Sequence, residues 1–192
     1  MPSESVIKWR TSRAVALDEL EGAHRAVGGI DRGRRYATQQ LNHAYAVLLS
    51  SQFQGFCRDL HGEVADYLVE AVDPASLHNA LRAAFTWNRS LDRGNPTPGA
   101  IGTDFDRFRV AFWRRVYAAD RRNQNRRERL EALNTWRNAI AHQDFDPAQL
   151  AGQATLTLRM VRSWRLACNG LAASFDVVMR AHVKELIERT PW

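Results

Sequence analysis

Apolar residues recur at steps of three and four along most of this chain. The longest such stripe is Leu41, Tyr45, Leu48, Leu49, Phe53, Phe56, Leu60, Val64, Leu68 and Val72, and that spacing is the helical period. It predicts a helix over about residues 34–71, longer than the globular average and suited to be the spine of a bundle. Upstream, Leu17, Leu20, His24 and Val27 make a shorter stripe that Gly28-Gly29 should end, since either glycine can take the left-handed conformation. Downstream, Asp73-Pro74 reads as an N-cap and a first-turn proline opening a short helix through Leu77, Leu81 and Phe85. Residues 91–102 crowd two prolines and three glycines together and are expected to form a loop or lid. Thr103, with Asp106 three positions on, should cap a helix carrying Phe105, Phe108, Phe112 and Val116, with Trp113 and Tyr117 beside that stripe.

A further helix is marked by Leu130, Leu133, Trp136 and Ile140. Asp146-Pro147, with Gln149 at capping-box distance, starts a fresh helical turn. Beyond Gly152, the stripe Leu158, Val161, Trp164, Cys168, Leu171, Phe175, Val178, Met179 and Leu186 describes one long closing helix. Gly170 inside it costs about 1 kcal/mol relative to Ala, a loss that close packing can offset. No segment alternates as a strand would. The expected fold is an all-α bundle with two long helices and shorter flanking ones.

The length of 192 residues fits one domain, expected over 1–192 with residues 1–33 as an N-terminal helical extension. Neither a secretory leader nor a membrane-spanning run stands out, so a cytoplasmic location without membrane attachment is expected. Cys57 and Cys168 lie far apart in apolar helical settings and read as buried free thiols. With no Cys/His cluster at ligand spacing, neither a metal nor another cofactor is expected. A GxxxxGK loop is also missing, which argues against nucleoside triphosphate hydrolysis.

The net charge of +6 changes the picture mainly through its placement. Nine arginines between Arg107 and Arg129 face only Asp120 and Glu128, so the excess is local and leads into the helix of Trp136. Arg121, Arg122, Arg126 and Arg127 are candidate nucleic-acid contacts, with affinity that should fall as salt rises. Lys8 and Lys184 are the only lysines, so the arginines also fit a compositional bias on a solvated face. The aromatics among them could stack bases, but at helical spacing they are first a core stripe.

The candidate chemistry lies at Arg137, Asn138 and His142. A guanidinium stays charged at any working pH and matches two phosphate oxygens at once. An imidazole moves protons near neutrality. Together they supply what RNA cleavage needs without a metal: charge stabilisation of the phosphorane and a general acid or base. At about 100° per residue, Arg137 and His142 diverge by about 140°, whereas Asn138 and His142 share a face. Unwinding at the helix end, or pairing two copies of the helix across a two-fold axis, would reconcile them. Gln52 and Asp59, on or beside the long stripe, are auxiliary candidates, with a satisfied buried polar role as the alternative. His24, His43 and His61 read as packing or surface residues.

The spelling Arg137-Asn138 followed by His142 resembles the signature of the HEPN superfamily. The long helix around residues 45–68, the lead-in LEALNTW and the closing PW resemble its RiboL-PSP-type branch, from about Arg34 to the end. The resemblance implies a HEPN-like bundle and a metal-independent endoribonuclease built at a homodimer cleft, with Arg137 and His142 catalytic, Asn138 assisting and Trp136 near the cleft. It implies 2′,3′-cyclic phosphate products and a toxin or defence setting, with an antitoxin protein as a possible partner. Other members only bind RNA or nucleotides or dimerise, and the motif does not separate these from the enzymes. A purely structural protein would bury Arg137 against internal carbonyls. A DNA-binding helix-turn-helix is a more distant alternative, since no recognition helix stands out.

Overall fold

A computed structural model describes residues 1–28 and 35–192. The chain is all-α, and no strand occurs among the described residues. Its helices are α1 (Glu4–Arg10), α2 (Ser12–Gly28), α3 (Arg35–Glu70), α4 (His78–Thr86), α5 (Ser90–Arg93), α6 (Pro98–Phe105), α7 (Phe112–Ala119), α8 (Asn123–His142) and α9 (Leu158–Ile187). The predicted long helices are α3 and α9. Gly29 and Arg34, expected at the ends of α2 and α3, lie outside the described residues.

α3 and α9 pack against each other, and α8 lies against both. The two long stripes read from the sequence face inward except at Val72 and Leu186, which are exposed: Tyr45, Leu49, Phe53, Phe56, Leu60 and Val64 from α3 share one core with Val161, Cys168, Leu171, Phe175 and Met179 from α9. An aromatic cluster fills the centre. Phe105 stacks on Phe112 at 4.5 Å, and Phe112 meets Phe175 edge-on at 4.8 Å. The aromatic stripe of residues 105–116 is therefore core. Cys57 and Cys168 are free and buried, and burial pushes both thiols well above their ordinary range.

The N-terminal segment is part of this packing rather than an appendage. Val6, Trp9 and Leu17 are buried, and Trp9 meets Phe53 edge-on at 5.6 Å. Asp176 and Glu63 accept hydrogen bonds from the backbone N–H groups of Ser3 and Ser5 respectively, both at 3.0 Å, anchoring the start of α1.

Residues 91–102 do not form the expected loop. They fold into α5 and α6, leaving only a short connection around Asn95 and Pro96. Thr97 caps α6 by accepting the Ala100 N–H at 3.1 Å, and Pro98 takes the first helical position. That is a favourable N-terminal pairing. Gly102 lies within α6, where a Cβ would come within 3.0 Å of the Trp113 ring. Thr103 is thus interior and caps nothing.

The helix predicted from Thr103 onward is broken. α6 ends at Phe105, a 3₁₀ turn covers Asp106–Phe108, and Arg109 and Ala111 are left-handed with φ of 60° and 35°. Asp106 Oδ1 then accepts the Phe112 N–H at 2.9 Å and starts α7. Asp73 does not cap a helix either. Pro74 precedes a 3₁₀ turn at Ala75–Leu77, and α4 begins only at His78. Asp146 does open a helical turn, accepting the Ala148 N–H at 2.9 Å through its side chain, but the turn stops before α9, whose N-cap is Thr157. Gly170 has the close neighbour its position suggested: a Cβ there would collide with the Arg126 guanidinium.

Candidate functional site

The end of α8 is built from alternating demands on its residues. Leu130, Leu133, Asn134, Trp136 and Ala139 are buried, so Asn138 and His142 fall on the exposed side and Arg137 between the two. The helix continues without interruption to His142. Gln143 then turns left-handed, with φ of 55°, and Asp144 N–H closes back on the Ala139 carbonyl at 3.0 Å. The C-terminal carbonyls are satisfied as in a glycine-ended helix. There is no unwinding between Arg137 and His142, so their divergence of about 140° persists within one chain.

Asn138 and His142 line a common cavity of about 300 Å³ with Thr135, Ala139, Asp144, Gln149 and Leu150. The Arg137 guanidinium lies outside it, with Nη1 3.5 Å from Asn138 Oδ1. That is the one hydrogen bond of the Arg137 side chain among the described residues, and no internal carbonyl holds it. The mark of the purely structural reading is therefore missing there.

A network that the sequence reading missed holds this site. Asn134, one turn before Asn138, accepts a hydrogen bond from Ser50 Oγ on α3 at 3.1 Å and donates to the Pro96 carbonyl at 3.0 Å. Gln54, also on α3, donates to the carbonyls of Leu91 and Gly94 at 2.6 and 2.7 Å. The short segment at residues 94–97 is thereby pinned from two helices. Its Asn95 Nδ2 donates to Asn138 Oδ1. The spacing of Asn134 and Asn138 was a legible hint. Nothing local marks Ser50, Gln54 or Asn95.

The arginine run sits at the other end of α8. At about 1.5 Å per residue, Arg126 is about 24 Å from His142, so within one chain the run does not adjoin the motif. Two of the four candidates are also paired with a carboxylate. Asp120 accepts hydrogen bonds from Arg122 Nε at 3.0 Å and from Arg126 Nη1 at 2.8 Å, and those bonds, Arg122's foremost, hold its carboxyl far below the usual range. Arg126 is largely buried and also donates to Asn123 Oδ1 at 2.7 Å. Arg127 lies over the Trp113 ring at 5.4 Å, and Arg121 is exposed.

Gln52 and Asp59 are not brought to the motif. Arg13 from α2 donates to Gln52 Oε1 at 2.7 Å and to Asp59 Oδ2 at 2.8 Å, and Lys8 pairs with Asp59 at 3.0 Å. They lie about half a turn round α3 from Ser50, which faces α8. The Asp59 carboxyl, which burial alone would raise, is held below its ordinary range by hydrogen bonds from Arg13 and Lys8.

His43 and His61 are packing residues. His43 is buried and stacks on Phe145 at 5.3 Å, and burial lowers its imidazole. His61 is fully buried, with Nε2 3.2 Å from the Asp104 carbonyl, and burial together with the Arg89 charge pushes it down to about 3. His24 is half-buried. Among the described residues no group of three His, Cys, Asp or Glu could hold a metal ion, and no helix is long and apolar enough to cross a membrane.

No family model, curated protein or solved structure matches the chain. The functional reading therefore rests on the site itself and on the motif's spelling.

Proposed function

We propose that this chain is a metal-independent endoribonuclease of the HEPN type, acting in the cytoplasm as a homodimer and as a toxin or defence effector that an antitoxin protein could restrain. The observation that carries the reading is that Arg137, Asn138 and His142 are all kept out of the core at one helix end, with Asn138 and His142 on one open cavity. That arrangement leaves their remaining donors open to a phosphate.

In this reaction His142 takes the proton of an RNA 2′-hydroxyl, and the 2′-oxygen attacks the adjacent phosphorus. The bond from phosphorus to the 5′-oxygen breaks, and that oxygen takes a proton from water while the His142 imidazolium returns its proton to solvent, leaving a 2′,3′-cyclic phosphate and a 5′-hydroxyl. Arg137 stabilises the charge that builds on the non-bridging oxygens, a contribution largest where donors are held in advance. Because α8 stays helical, Arg137 and His142 converge on one phosphate when two α8 helices meet across a two-fold axis, with His142 from one subunit and Arg137 from the other. Arg121 and Arg127 would then guide more distant phosphates.

One observation bears on the second reading, a non-catalytic HEPN-like module that binds RNA, nucleotide or another copy of itself, and it favours the last of these, dimerisation. Asp144 shares the cavity with His142, and the C-terminal end of α8 carries partial negative charge. Both oppose a phosphate there.

Cleavage of end-labelled single-stranded and structured RNAs in EDTA decides between them. The enzyme reading expects cyclic-phosphate products that are lost in His142→Ala and Arg137→Ala. RNA binding without cleavage in the unaltered protein, or cleavage unchanged in both variants, overturns it.

A further inference from the structure

Asn138 carries an acceptor, Oδ1, and a donor, Nδ2, on one amide, and only the donor can serve a phosphate. The structure shows what Oδ1 is doing: Asn95 Nδ2 donates to it, and Arg137 Nη1 lies 3.5 Å from it. A guanidinium has no acceptor, so Oδ1 must face Arg137. Once Oδ1 is taken, Nδ2 is the free end of a side chain that lines the His142 cavity. The Arg137 contact is long and exposed, and it breaks when Arg137 turns to a phosphate. The contact from Asn95 is exposed as well, but Asn95 sits in a segment that Asn134 and Gln54 pin to α8 and α3.

We propose that Asn95 is a positioning residue that locks the Asn138 amide with its N–H end toward the His142 cavity, making Asn138 a donor to the scissile phosphate. The proposal rests on the ribonuclease reading for its substrate, although the orientation itself does not. Without Asn95 the amide is free to turn once Arg137 leaves it. With a carboxylate in place of Asn95, Asn138 turns its N–H toward that carboxylate and presents its oxygen to the phosphate.

The test compares the unaltered protein with Asn95→Asp, Asn95→Ala and Asn95→Ser, each checked for the same melting temperature. RNA cleavage is followed, together with the Asn138 side-chain amide signal by NMR as inorganic phosphate is added. The bond lost in Asn95→Ala is a neutral amide–amide one that only biases the orientation of Asn138, which predicts a fall of about two- to fivefold in kcat. Asn95→Asp should fall further, and Asn95→Ser, which keeps a donor, should recover part of the loss. Phosphate should shift the Asn138 amide in the unaltered protein and not in Asn95→Asp.

Cleavage by the unaltered protein with equal rates in Asn95→Ala and Asn95→Asp overturns the proposal while the ribonuclease reading stands. If no RNA is cleaved but phosphate shifts the Asn138 amide only when Asn95 is intact, the ribonuclease reading fails and the positioning role holds for a phosphate-binding site. An Asn138 signal that ignores phosphate in the unaltered protein, or shifts equally in Asn95→Asp, overturns the proposal whether or not RNA is cut.

Discussion

Ser50 on α3 donates a hydrogen bond to Asn134 on α8 at 3.1 Å, through a region where both residues are buried. Asn134 passes the connection on to the Pro96 carbonyl, so one side chain ties two helices to the segment that carries Asn95. Asn134→Ala leaves both the Ser50 hydroxyl and the Pro96 carbonyl short of a partner. The expected loss is about 2–3 kcal/mol in urea unfolding. Ser50→Ala should cost about 1 kcal/mol. Adding Ser50→Ala to Asn134→Ala should cost less than it does alone, because the partner is already gone. Strict additivity of the two losses would show that the contact contributes nothing.

His61 gives stability a pH dependence in a definite direction. Its imidazole is buried beside Phe105 and Phe108, with Arg89 Nη1 3.5 Å from Nδ1, and is pushed down to about 3. In the unfolded chain the same group titrates near 6.5. As pH falls below about 6.5 the unfolded state takes up a proton that the folded state refuses, so stability declines until about 3. Above about 6.5 the group is neutral in both states and contributes no slope. His61→Gln removes the titration, so between pH 6 and 5 its stability should fall less steeply than that of the unaltered protein, by up to about 1.4 kcal/mol per pH unit. Parallel curves for the two proteins would mean that His61 is not held neutral.

The four arginines of the basic run should separate into two classes. Arg122 and Arg126 are tied to Asp120, and Arg126 also covers Gly170. Arg126→Ala should therefore lower the melting temperature. Arg121→Ala should leave melting nearly unchanged and Arg127→Ala should lower it only slightly through its lost Trp113 contact, and both should weaken RNA binding, each reducing the slope of log affinity against log salt by about 0.7 for a single strand. Fluorescence anisotropy at several salt concentrations measures this. Equal salt slopes for Arg121→Ala, Arg127→Ala and the unaltered protein would remove both residues from the RNA path.

These contrasts mark what the amino-acid order could reveal. The stripes of α3, α8 and α9 were legible because helical spacing is a local property, and so was the face shared by Asn138 and His142. Prolines and glycines at residues 91–102 masked a helix because Thr97-Pro98 is itself a helix start, and the density of breakers outweighed that local signal. The break after Phe105 depends on the Asp106 carboxylate receiving the Phe112 N–H, a choice a continuous aromatic stripe does not betray. Charge counting gave Arg122 and Arg126 the same weight as Arg121, because it could not see Asp120 folded back onto them. Asn95 and Asn138 are 43 positions apart, and the pinning of residues 94–97 between α3 and α8 brings them together.

The divergence of Arg137 and His142 along an unbroken α8 sets the last prediction. If each reaction centre takes its arginine from one subunit and its histidine from the other, two inactive variants should complement. A mixed dimer of Arg137→Ala with His142→Ala contains one centre with both groups intact and one with neither. Random exchange makes about half of the dimers mixed, each with one working centre of two, so about a quarter of the original activity should return. Unfolding the variants together and refolding them at equal concentration, then assaying RNA cleavage, measures it. If each centre instead draws both groups from a single chain, every centre in the mixture lacks one of them, and activity stays at the level of the separate variants. Such a result, with cleavage intact in the unaltered protein, would require α8 to unwind between Arg137 and His142 when RNA binds.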